Sequence, residues 1–116
     1  MASAYKVLGQ AVPAVVTAAG ASSNLTTLYT VPSATSAIVS TVTICNQSTS
    51  AQTYRVSIRK AGAGDNAIQY IAYDVLLGSN ATDTLTLGLT LATTDIISIA
   101  ASSASVSFNA FGSEIS

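Results

Sequence analysis

The side chains able to do chemistry are few. Five carboxylates stand at Asp65, Asp74, Asp83, Asp95 and Glu114, and four cations at Lys6, Arg55, Arg59 and Lys60, for a net charge of −1. Two carboxylates are the minimum for glycoside hydrolysis. Such sites lie in grooves lined by aromatic and polar groups, however, and this chain has five Tyr, two Phe and no Trp. Asp65, Asp83 and Asp95 fall in turn-like sequence, where Asp accepts hydrogen bonds from nearby backbone N–H groups. The expectation is structural carboxylates and no catalytic residue. Asp65 with Asn66 could offer oxygen ligands to calcium, but the segment lacks the acidic spacing of a dedicated site, so a turn is the better reading. No metal or cofactor is expected. The chain has no His, which removes Ser-His-Asp and Cys-His pairs and imidazole metal ligands. A lone cysteine, Cys45, allows neither an internal disulfide nor a cysteine-based zinc site. It sits in the most apolar segment and reads as a small buried hydrophobe.

Contacts are a better use for the remaining groups. On a strand, Arg55 and Arg59 share a face about 13 Å apart. They either solvate an outer sheet face or make charge-assisted contacts to carboxylates on a partner; Lys60 reads as solvated. Tyr70 and Tyr73 bracket Ile71-Ala72 and are expected on opposite faces, one in the core and one exposed. Phe108 with Val106 should close the core, leaving Phe111 on the other face to dock under a neighbouring subunit. The candidate partner contacts are therefore Arg55, Arg59, Tyr73 and Phe111. Four cations against five acids cannot make the basic face that nucleic-acid binding needs.

The elements that would position these residues are strands. Thr84-Leu85-Thr86-Leu87-Gly88-Leu89-Thr90-Leu91 alternates perfectly, with four leucines on one face, as only a strand with one buried face requires. Ile38, Ser40, Val42 and Ile44 alternate with Val39, Thr41, Thr43 and Cys45 in a β-branched segment that reads as a central strand. Tyr54, Val56 and Ile58 oppose Thr53, Arg55, Ser57 and Arg59 on the next strand. Further strands are read at Tyr5 to Leu8, from Leu25 to Val31 (stopped by Pro32), at Ile68 to Leu77, at Asp95 to Ala100 and at Ser105 to Phe111. Turn chemistry recurs between them every 8–12 residues or so, the mark of a sandwich or barrel. The expectation is one domain over 1–116: an all-β, antiparallel β-sandwich of about eight strands, jelly-roll-like or immunoglobulin-like. Residues 9–23, where Pro13, Val15-Val16 and Gly20 oppose a helix, read as an extended arm or long loop. Gly9, Gln10 and Pro13 also interrupt the apolar run that a signal peptide would need. No stretch approaches the roughly 20 apolar residues of a membrane span.

Charge is the compositional anomaly. Charged residues are 8% of the chain, against about 25% in ordinary soluble proteins. A monomer of this mass exposes roughly 5,800 Å², or about one charge per 650 Å². Ala, Ser and Thr, nearly half of the residues, fill the remaining surface. Short hydroxyl side chains lose little rotamer entropy on ordering, so this surface is suited to contact with other protein.

Several segments carry a resemblance: Tyr5-Lys6-Val7-Leu8-Gly9-Gln10, Leu28-Tyr29-Thr30-Val31-Pro32, Val42-Thr43-Ile44-Cys45-Asn46, Arg55-Val56-Ser57-Ile58-Arg59, Tyr70-Ile71-Ala72-Tyr73-Asp74, Leu85 through Leu91, and Phe108-Asn109-Ala110-Phe111-Gly112-Ser113-Glu114. Together they resemble small virion structural proteins of tailed bacteriophages, including those of cyanobacteria. The resemblance implies a capsid cement (decoration) protein that is non-enzymatic, binds the major capsid protein on the outer capsid surface and self-associates. A trimer, suited to three-fold positions, is favoured over a dimer, which would suit two-fold ones. A tail or baseplate binding module, contacting host carbohydrate or neighbouring tail proteins, is the alternative. No site residue is transferred by the resemblance.

Overall fold

Among the described residues, alternation in the sequence becomes eight antiparallel strands: β1 (Ser3–Ala11), β2 (Thr26–Thr30), β3 (Ser36–Asn46), β4 (Gln52–Arg59), β5 (Tyr70–Leu77), β6 (Thr82–Leu91), β7 (Ile96–Ala101) and β8 (Val106–Ile115). The computed structural model describes residues 3–12, 26–63, 67–103 and 105–116, with backbone alone at Ala67 and Leu87. Most of the expected arm at 9–23 lies outside these residues, as do Leu25, Asp65 and Asn66. The first residues of that arm are instead strand, with Gly9, Gln10 and Ala11 paired to Ala110, Asn109 and Phe108.

The strands form two four-stranded sheets, a first in the order β1-β8-β3-β6 and a second in the order β2-β7-β4-β5. Four of the pairings join strands whose numbers sum to nine: β1 with β8, β2 with β7, β3 with β6 and β4 with β5. The chain is thus a long antiparallel ribbon, doubled back at the β4–β5 connection and wrapped into two layers. That is the jelly roll; the immunoglobulin-like arrangement is not adopted.

The core lies between the inward faces. Val39, Val42, Ile44 and Phe108 of the first sheet meet Tyr54, Val56, Ile97 and Ile99 of the second, with the Tyr54 and Phe108 rings edge-on at 6.1 Å. Each such side chain contributes about 1.5–3 kcal/mol by leaving water. Leu85, Leu89 and Leu91 turn towards this core as their alternation requires. On β3 the phase differs from the sequence expectation. The register slips between Val39 and Thr41 against both neighbouring strands. Ser40 is therefore a bulge, which sends Val39 into the core beside Val42 and Ile44 and turns Ile38 outward. Cys45 consequently sits half-buried on the outer face rather than in the core.

Asn46, at the end of β3, is fully buried. Its Nδ2 hydrogens are shared among the carbonyls of Ser50, Leu77 and Gly78 at 2.9, 3.2 and 3.0 Å, and its Oδ1 accepts from the Ser48 N–H at 2.9 Å. One side chain thereby ties the β3–β4 turn to the end of β5.

Candidate functional site

Because Tyr54 and Val56 face the core, Arg55 and Ser57 face outward from the second sheet. Opposite them β5 is bulged twice: Tyr54 pairs with Val75, Val56 with Ala72 and Ser57 with Tyr70. Two residues, Tyr73 and Asp74, therefore lie across from Arg55. Asp74 takes φ +50°, a conformation that Asp tolerates better than most residues. Its Oδ1 accepts from Arg55 Nε at 2.6 Å and its Oδ2 from Nη2 at 3.1 Å. The guanidinium carbon stands 4.3 Å from the centre of the Tyr73 ring, and that ring meets Tyr70 edge-on at 5.0 Å.

This arrangement corrects two expectations. Arg55 is only 2% exposed, so it is not a solvated surface residue, and the carboxylate it finds belongs to its own chain. The bulges also bring Tyr70 and Tyr73 into contact instead of sending them to opposite faces; Tyr73 remains 50% exposed. The hydrogen bonds to Asp74 outweigh burial and raise the Arg55 pKa further above its ordinary value. Beside this cluster, Ser57 and Ser98 are fully buried, and Ser57 Oγ has no hydrogen-bond partner among the described residues.

Arg59 turns to its own backbone. Nε donates to the Ala63 carbonyl at 2.7 Å, Nη2 to that of Gly62 at 3.1 Å and Nη1 to Ser98 Oγ at 3.4 Å. It thus braces the short 3₁₀ turn Lys60–Gly62, while Lys60 is exposed. Asp95 fulfils its turn role, accepting from the N–H groups of Ala61 and Ala92 at 2.8 and 2.9 Å. Asp83 does not: it accepts from Tyr54 Oη of the opposite sheet at 2.8 Å. Glu114 takes Lys6 Nζ at 2.7 Å and Tyr29 Oη at 2.5 Å, and these two donors lower its pKa, Lys6 more than Tyr29. Burial, with the adjacent carboxylates adding to it, raises the pKa values of Tyr29 and Tyr54 well above the ordinary phenol value. All four described carboxylates are thus engaged as acceptors within the fold.

Phe111 is on the other side of the molecule, on the outer face of the first sheet, paired with Val7 on β1 and Thr41 on β3. It is half-buried. Around it, Tyr5, Val7 and Ile38 are 87%, 48% and 40% exposed. The four candidate contacts therefore fall on two separate surfaces: Arg55, Arg59 and Tyr73 outside the second sheet, Phe111 outside the first. Sequence reasoning missed Asp74, because a bulge has no period, and it missed Tyr5 and Val7, whose alternation around Lys6 was there to be read. Comparison with protein-family models, curated proteins and solved structures finds no match to this chain.

Proposed function

We propose that the protein is a non-enzymatic structural component of a tailed-bacteriophage virion, a capsid cement protein on the outer surface that bridges major capsid protein subunits. One observation carries this reading: an already sparse set of charges is used inside the molecule. Lys6, Arg55, Arg59, Asp74, Asp83, Asp95 and Glu114 each bond within the chain. The surface left to meet other molecules is mainly hydroxyl and apolar, and it can be covered without stripping water from charged groups. The phage resemblance of the strand segments supports the same reading. Jelly rolls serve capsid and lectin domains alike, so the fold admits the function and the charge distribution argues for it.

Cementing is stabilisation by linkage. A ligand that binds the expanded shell and not its precursor shifts the balance by its differential affinity. Electron microscopy of virions with and without the protein tests this: density over the shell in many copies supports cementing, and a few copies on the tail would move the protein to the tail or baseplate. Particles lacking it are expected to release their genome at a lower temperature. Equal heat resistance would remove the cementing role.

A further inference from the structure

We infer that the outer face of the first sheet is a self-association surface, on which a second copy of this chain packs face to face about a two-fold axis. The inference rests on the reading that the protein works pressed against other protein, and it names the surface and its occupant.

Residues opposite one another in an antiparallel sheet share a face. The register therefore assigns the outward rows: Tyr5–Ser113–Ile38–Thr90, then Val7–Phe111–Thr41–Thr86, then Gln10–Asn109–Thr43–Thr84. No residue in these rows is charged. Lys6, between Tyr5 and Val7, points the other way to Glu114. The outer face of the second sheet differs, since it carries the Arg55–Asp74 pair and Arg59. Within the uncharged face, Tyr5, Val7, Phe111 and Ile38 form one apolar cluster on β1, β8 and β3, and threonines occupy the β6 side.

Area and charge select the occupant. Four strands about 4.8 Å apart and roughly nine residues long cover on the order of 600 Å² in plan. Side-chain relief raises the accessible area towards the roughly 800 Å² per partner of a standard stable interface. A face without charge is not set in register by ion pairs, so shape and apolar match must align its partner. Its own copy presents an equally neutral, equally flat surface. A two-fold axis running across the strands lays β1 and β8 of one copy over β1 and β8 of the other. The apolar clusters then meet, hydroxyls face hydroxyls, and the contact closes after two copies.

Sedimentation equilibrium of the full chain tests the pairing. The wild type is expected at about twice 11.6 kDa. Thr86→Lys, at an exposed strand position, and Val7→Lys are each expected at the single-chain mass with unchanged far-ultraviolet circular dichroism. Lys60→Glu, away from the face, is expected to remain paired. Cys45 lies in the next outward row, between Ser107 and Thr82, and serves as a native probe. Its alkylation should slow as wild-type concentration rises and stay constant for Thr86→Lys. A wild-type mass of one or three copies, a paired Thr86→Lys variant, or concentration-independent alkylation of the wild type overturns the inference. A single-chain mass together with heat-sensitive depleted particles would sink the pairing and leave cementing standing. A paired protein whose loss leaves particles unaffected would do the reverse.

Discussion

Glu114 receives donors from both layers of the sandwich, Lys6 from β1 and Tyr29 from β2. Its folded pKa lies below the unfolded value, so in that window the unfolded chain binds more protons and stability rises with pH. The contribution is complete above the unfolded carboxylate value of about 4.3 and is lost as pH falls through the lowered folded value. Glu114→Gln cannot ionise, so its urea midpoint should decline less steeply than the wild type's below about pH 4. Tyr29 and Tyr54 have the opposite sign. Their folded values are raised, so their contribution is present below about pH 10 and disappears as pH rises towards the folded values. In an alkaline absorbance titration, the part of the signal due to these two phenols should arrive together with the loss of circular dichroism. The Arg55–Asp74 pair divides unequally, because Arg55 is buried while the Asp74 side chain is 30% exposed. Asp74→Asn keeps a residue that tolerates φ +50° but removes the carboxylate that accepts two hydrogen bonds from this buried guanidinium, costing about 3 kcal/mol. Arg55→Met leaves a carboxylate that water can reach, and should shift the urea midpoint less. What was legible of Arg55 in the sequence was a charge either solvated on the outer face or paired with a carboxylate of a partner. That the carboxylate is Asp74 was not, because the side-chain period is two and only an extra residue in β5 places Asp74 on the same face.

Strand existence was legible because alternation, β-branching and turn residues agree over β3, β4, β6 and β7. Phase within a strand was less so, because each bulge reverses the faces of everything beyond it. Gly88 was the one local signal: it interrupts an otherwise perfect Thr-Leu alternation and stands at φ +61°, beside the slip where Thr41 pairs with Thr86 and Val39 with Leu89. A Cβ there meets open space, so Gly88→Ala should cost only the left-handed strain, about 1–2 kcal/mol. Gly112 is a different case. A Cβ on it would collide with the carbonyl of Ile38 and crowd the Val39 backbone. Those atoms belong to the central pairing of β3 with β8 and cannot swing aside as a side chain could. Gly112→Ala should therefore cost about 3 kcal/mol, and comparing the urea midpoints of the two variants checks the ordering.

At the scale of the whole molecule, strand order was out of reach of local pattern, because the pairings join opposite ends of the chain; Ser3 lies beside Ile115. The wrapping has a consequence for charge. Lys6, Asp83 and Glu114 lie in the first sheet, yet Glu114 bonds Tyr29 and Asp83 bonds Tyr54 of the second. Charges that would otherwise keep neighbouring molecules apart are thus used to join the layers, and the described outward rows of the first sheet are left uncharged. Association through such a face should respond to salt unlike an ion-paired interface. Between exposed charges, attraction weakens as the Debye length falls from about 10 Å at 0.1 M to about 3 Å at 1 M salt, whereas burial of apolar area does not weaken in this way and is strengthened by excluded salts such as sulfate. The self-association constant should therefore hold steady, or rise, between 0.05 and about 1 M salt. A steep fall over that range would mean that Arg59, Lys60 and their side of the molecule carry the contact.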